Sequence, residues 1–192
     1  MLKPLLMSLV LLVAALESIF AAIGLAILGL DAEGLHWAIR WTGRLSLLLF
    51  LSAFLANSLQ RSLHRPWTAV LLRRRRYVGL AFAASQLIHL VLIGLAYRRA
   101  PATMGPLDFA FYGGAVGYFF TGLLALTSND QAFHWLGPKR WRLLHSTGMY
   151  ALWLIFFVTY LPGFGLGGIP LVFLLVLGLA LIFKLTVKFA PR

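Results

Sequence analysis

The sequence predicts an all-α membrane protein, a six-transmembrane-helix bundle forming a single transmembrane domain over 1–192 with both termini cytoplasmic. Three observations carry that expectation. Hydrophobic residues make up 61% of the 192-residue chain and charged residues only 11%, far from the balance of a water-soluble domain. The apolar residues fall in long runs, and a membrane-crossing helix needs roughly 20 of them. The basic residues are distributed unequally between alternate connections, which sets orientation.

Six runs divide the chain at 4–30, 42–60, 77–97, 107–127, 141–162 and 165–189. The first is too long for the apolar core of a secretory signal, and no small-residue cleavage region follows it, so it reads as a retained span. Glu17 interrupts it and reads as a buried polar contact ahead of a proton carrier. The connection at 31–41 carries Asp31, Glu33 and His36, and the second span opens on Thr42, Gly43 and Arg44. The third follows an arginine block at 73–76 and holds His89 about twelve residues from its start. Pro101 and Pro106 stop that span and precede the fourth. In the fourth, Gly113 and Gly117 form a small-xxx-small pair suited to close helix contact. The fifth opens on Trp141 and Arg142, carries His145 near its start, and is lined by Tyr150, Trp153, Phe156, Phe157 and Tyr160. Those aromatics read as packing and interface residues, a composition that also flanks heme. The uncharged connection at 161–170, rich in Gly and Pro, reads as a tight turn before the sixth span.

The formal net charge of +12 would suggest nucleic acid in a soluble protein. Here its pattern indicates topology. Thirteen of the 17 basic residues lie at Lys3, in 61–76, in 139–142 and towards the C-terminus, and only Arg40, Arg44, Arg98 and Arg99 lie on the opposite side. The bias places both termini, 61–76 and 128–140 in the cytoplasm, as an even number of spans requires. Anionic lipid headgroups are the expected counter-charge, with no role for nucleic acid. Cysteine is absent, which excludes disulfides, thiolate ligands and iron–sulfur clusters. Little chain is left for a flavin or nucleotide domain, so such chemistry belongs to a partner.

His89 and His145 are the candidate site residues. An intramembrane histidine is costly in lipid and marks a functional site by default. Three readings remain open on the residues alone: axial ligands of a heme, hydrogen bonds between helices, or a proton or ion path. In the third span, Ser85 leaves room for a flat macrocycle beside His89, with Gly79 near the same face further back. Phe82 either packs on that macrocycle or serves as ordinary core. Ser85 or Gln86 is expected to receive an imidazole N–H and fix the tautomer. Arg44, Arg76 and Arg142 sit at span ends, where they mark topology or pair with heme propionates.

The order of local motifs resembles the ferric reductase-like transmembrane domain family over about 42–160. Arg74, Arg75, Arg76, Tyr77, Val78, Gly79 and Leu80 followed by His89 are similar to its third helix. Leu126, Thr127, Ser128, Asn129 and Asp130, then Leu136, Gly137, Trp141, Arg142, Leu143, Leu144 and His145, are similar to its fourth-to-fifth helix junction. Thr42, Gly43 and Arg44 also fit. Within the family, the nearest likeness is to the heme-binding membrane subunits that serve periplasmic methionine sulfoxide reductases. The resemblance implies heme b, with His89 and His145 as axial ligands and Arg44, Arg76 and Arg142 as propionate contacts. It implies a transmembrane electron-transfer subunit of an oxidoreductase system in the bacterial inner membrane. The donor would be a cytoplasmic flavin reductase or a quinol, and the acceptor a periplasmic oxidoreductase.

One departure bears on the ligands. The family's fifth helix carries a second histidine thirteen or fourteen residues after the first, and Val158 and Thr159 stand there in this chain. The third and fifth spans run the same way, and the depths of His89 and His145 differ by roughly 12 Å at 1.5 Å per residue. Axial nitrogens on one iron lie about 4 Å apart, twice a metal–imidazole bond of roughly 2 Å. Each histidine therefore holds its own heme, or a histidine such as His64 or His134 completes a site, or the chain is a heme-free scaffold or accessory subunit retaining the fold.

Overall fold

The computed structural model describes residues 2–104 and 109–189, and every described segment of regular structure is helical. The elements are α1 (Leu2–Leu28), α2 (Ala32–Leu63), α3 (Pro66–Arg99), a single 3-10 turn (Pro101–Thr103), α4 (Phe109–Leu126), α5 (Asp130–Tyr160), α6 (Gly163–Leu166) and α7 (Gly168–Phe189). Among the described residues, five helical segments are long and apolar enough to cross a membrane: Met7–Leu28, Ala32–Leu63, Pro66–Arg99, Asp130–Gly165 and Gly168–Phe189. Phe111–Leu126 is apolar but shorter. The expected start of the fourth span at 107, with Pro106, lies outside the described residues.

The helices reach well past the apolar runs. The connection expected at 31–41 is the first three turns of α2, the arginine block at 73–76 lies inside α3, and the residues before Trp141 belong to α5. Nothing in the first two of these stretches stops a helix, and arginine and glutamate are good helix formers, so backbone bonding continues through them. The third holds Gly137 and Pro138, where α5 is interrupted. The breaks fall where the backbone demands them. Gly29 turns at φ 93°, after which the Asp31 carboxylate accepts the Gly34 N–H at 3.1 Å and caps α2. Pro66 is the first residue of α3, where its missing N–H costs nothing. Asn129 caps α5 by accepting the Ala132 N–H at 2.7 Å. Gly137, at φ 74° and ψ 159°, divides α5 just ahead of Pro138. The expected turn at 161–170 contains the four-residue helix α6, followed by Gly167 and Gly168, both at positive φ.

The chain falls into two compact units. One comprises Met1–Phe50 with Arg74–Asp108, the other Leu51–Arg73 with Phe109–Arg192. In the first unit, Ala21, Ala38 and Leu92 form a buried cluster with Trp37 packed against it. The Trp37 ring fills the notch left by the missing side chain of Gly24, and Phe20 lies 5.2 Å from it. Leucine and isoleucine on the outer side of α1, such as Leu11, Leu16, Ile23 and Ile27, are more than half exposed. That inversion suits a helix whose outer surface meets lipid.

In the second unit, α4 and α5 approach closely at Gly148, where an added Cβ would lie 2.9 Å from Leu124 Cδ2. Of the expected glycine pair, Gly117 faces Ile155 of α5, whereas Gly113 has open space beside it. Trp153 Nε1 donates to the Leu177 carbonyl on α7 at 3.0 Å. The Lys184 ammonium donates to the Phe54 carbonyl at 2.6 Å and lies 4.1 Å from the centre of the Phe54 ring.

Candidate functional site

Each candidate histidine lies in its own unit with its own hydroxyl partner. In the first, α2 and α3 meet at Thr42 and His89. Thr42 is fully buried, and its Oγ1 lies 2.8 Å from His89 Nδ1, 2.9 Å from the Ala38 carbonyl and 3.2 Å from that of Ile39. A hydroxyl has one proton. Donated to the helical carbonyl one turn back, that proton leaves the oxygen to accept Nδ1–H from His89. The imidazole is then the tautomer with its lone pair on Nε2, the distal nitrogen that can reach a metal. Gly43 makes the approach possible: a Cβ there would stand 3.2 Å from His89 Cε1. The expected tautomer partners were Ser85 or Gln86, on the histidine's own helix. The partner is Thr42 because the ring leans towards α2 and Ser85 is engaged elsewhere.

Ser85 and Ser46 are both fully buried, their hydroxyl oxygens 2.5 Å apart. Ser85 Oγ also donates to Glu17 Oε1 at 2.9 Å. Glu17 is only 4% exposed, and its Oε2 is one of two buried side-chain polar atoms without a hydrogen-bond partner among the described residues; the other is Tyr118 Oη. Thr42 and Ser46 are four apart on α2, and Ser85 and His89 four apart on α3, so both pairs share a face. One polar seam thus joins α1, α2 and α3. Sequence reasoning had Glu17, Ser85 and His89 but not the seam; the matched four-residue spacing of hydroxyls on α2 and α3 was the available signal.

In the second unit, His145 Nε2 lies 3.0 Å from Thr127 Oγ1, and that hydroxyl donates to the Leu123 carbonyl at 2.7 Å. The same one-proton argument puts the imidazole proton on Nε2. Trp141 stacks on the ring, with centroids 3.9 Å apart, and its Nε1 donates to the Thr127 carbonyl at 2.9 Å. Ligation through Nε2 of His145 would require the Thr127 bond to be given up.

The arginines differ in reach. The Arg44 guanidinium lies over the Trp41 ring at 4.8 Å. Arg76 is thirteen residues before His89, or about 20 Å along α3, so a propionate contact from it requires an iron nearer the α2–α3 connection. Arg142 is exposed and one turn from His145. Phe82 is buried against Phe50, ring centres 5.6 Å apart, as ordinary core, and Gly79 has open space beside it. As a heme ligand, His89 therefore fits by tautomer and by its supporting hydroxyl, while His145 fits only after rearrangement. No triad of His, Cys, Asp or Glu suited to a bare metal ion occurs among the described residues. No family model, curated protein or solved structure matches the chain.

Proposed function

We propose that the chain is a six-span, b-type heme subunit of the bacterial inner membrane, termini cytoplasmic, with a core of the ferric reductase-like kind at 42–160. It would pass electrons from a cytoplasmic flavin reductase or a quinol to a periplasmic oxidoreductase. The observation that carries this reading is the Thr42–His89 pair, in which a buried hydroxyl holds the imidazole with Nε2 as its lone-pair nitrogen. When bound, heme supplies the one-electron chemistry, and the protein supplies ligand, dielectric and orientation. His89 would provide the axial nitrogen, Thr42 would hold the ring and raise its basicity, and Gly43 would let α2 approach. Arg44, Arg76 and Arg142 are the candidate propionate contacts. The arginines at 73–76 would dock an acidic donor, so reduction by a flavin reductase should weaken with added salt.

A specific observation favours a second reading, the heme-free scaffold. His145 is bound through Nε2 and stacked on Trp141, as a packing residue would be, and the fifth helix has Val158 and Thr159 where a further ligand is expected. A dithionite-reduced-minus-oxidised spectrum of purified protein, beside His89→Ala and His145→Ala, separates the two. A sharp low-spin b-type band lost with His89 supports the cytochrome. Well-folded protein that stays colourless with ample heme supply leaves the scaffold.

A further inference from the structure

The seam of Glu17, Ser85 and Ser46 has no part in holding a cofactor, and its chemistry can be read separately. Glu17 is the one acidic residue between Met7 and Leu28, deep in an apolar helix. Its Oε1 accepts from Ser85, and its Oε2 meets no donor. A bare carboxylate so enclosed lacks the counter-charge that burial requires. On α3, His89 lies one turn from Ser85 on the same face. Arg44 shares with Trp37 and Trp41 the side of α2 that packs on Phe20 of α1, but its guanidinium lies over the Trp41 ring and Glu17 Oε2 accepts no hydrogen bond from it. Arg74 shares the Ser85 face but lies about 16 Å away along α3. A metal ion needs several oxygens at once, and here the two serine hydroxyls already satisfy each other and Oε1. The single uncommitted oxygen, Oε2, fits one proton.

We propose that Glu17 is an intramembrane proton-binding site and that Ser85 and Ser46 form the relay through which its proton exchanges. The relay has two polarisations. In one, Ser46 donates to Ser85 and Ser85 to Oε1. In the other, the acid donates to Ser85 and Ser85 to Ser46. In the first polarisation Glu17 is the carboxylate and in the second the acid. Passing from first to second therefore takes one proton in at Ser46 and leaves one on Oε1, each hydroxyl accepting one and giving one. The return releases it at Ser46, and a half-turn of the acid's carboxyl group carries the O–H to the Oε2 position. The next polar groups on the same faces are Thr42 and His89, one turn nearer the end of this unit that carries the Gly29 turn and the 3-10 turn at Pro101–Thr103. The proposal is independent of whether heme is bound.

Infrared spectroscopy of the full chain in lipid nanodiscs tests it. Wild-type protein at neutral pH should show the carbonyl stretch of a protonated carboxylic acid, and Glu17→Gln should remove it. Asp31, Glu33 and Asp130 are exposed, so any bands of theirs shift at once in D2O. The Glu17 band should shift in frequency in Ser85→Ala, which loses its donor. Its exchange in D2O should slow by roughly tenfold or more in Ser85→Ala and Ser46→Ala, because exchange then waits for the helices to open. Should Glu17→Gln not fold, the Ser85→Ala frequency shift carries the assignment. Absence of an acid band in wild type, a band that survives Glu17→Gln, or exchange unchanged in both serine variants would overturn the proposal.

Discussion

Thr42→Val isolates the contact on which the His89 site rests. Valine keeps the branched shape and removes the hydroxyl, leaving the Nδ1–H of His89 without an acceptor. Hydrogen bonds between membrane helices contribute about 0.6 kcal/mol on average and up to about 1.7 kcal/mol. The 2.8 Å separation and complete burial of Thr42 place this one in the upper part of that range. A donor left unsatisfied in the interior costs about 1–3 kcal/mol. Thr42 also back-bonds to Ala38 within its own helix, and that loss must be separated from the interhelical one. A double-mutant cycle with His89→Leu does so, since the intrahelical term is the same in both backgrounds and cancels. Reversible SDS unfolding in mixed micelles, followed by circular dichroism, should give a coupling energy of about 1–1.5 kcal/mol, and Thr42→Ser should restore most of it. A coupling within about 0.3 kcal/mol of zero would show that the bond does not operate and would refute the tautomer argument. In heme-loaded protein the same substitution should weaken retention by about 10–100-fold, as loss of a supporting hydrogen bond does elsewhere.

Four further substitutions probe the backbone geometry around the sites. Gly43→Ala should push the His89 ring aside by a few tenths of an ångström, since its Cβ would stand 3.2 Å from Cε1; a heme-reconstitution titration should show weaker binding while helicity is retained. Gly148→Val should separate α4 from α5 at Leu124, costing about 1–3 kcal/mol in the same SDS assay, whereas Gly113→Ala, with open space beside it, should be close to neutral. Gly137→Ala forces a side chain into a backbone conformation close to one that is essentially glycine-only, at about 1–3 kcal/mol, and should speed cleavage by protease near 137.

Much of the helical content was legible because the apolar runs are long and nearly free of charge. Helix ends were less so. Arg73 to Arg76 and the polar stretch after Asp31 look like connections by hydropathy, yet they contain nothing that opposes helical backbone, and the stops are set by Gly29, Pro66, Asn129 and Gly137. At the site, His89 was legible from the cost of an imidazole in lipid. Its partner was not, because Thr42 lies 47 residues away on another helix, and helix pairing is not written into local sequence. Glu17 stood out as an oddity for the same reason as His89, while Ser46 is too ordinary in membrane helices to draw notice until the fold brings it against Ser85.

The seam also bears on how the chain enters the bilayer. An acidic residue near the centre of a lone inserting helix costs about 3 kcal/mol on translocon scales, while each Leu, Ile, Val or Phe returns about 0.3–0.6 kcal/mol. The twelve such residues between Met7 and Leu28 offset that cost, so α1 can partition before its partners exist. Ser85 follows Glu17 by 68 residues and emerges from the ribosome only after α2 has been made. Until then the acid is an unquenched handle in the lipid, and its capture by Ser85 gives the nascent chain a reason to recruit α3 to α1 across the intervening helix.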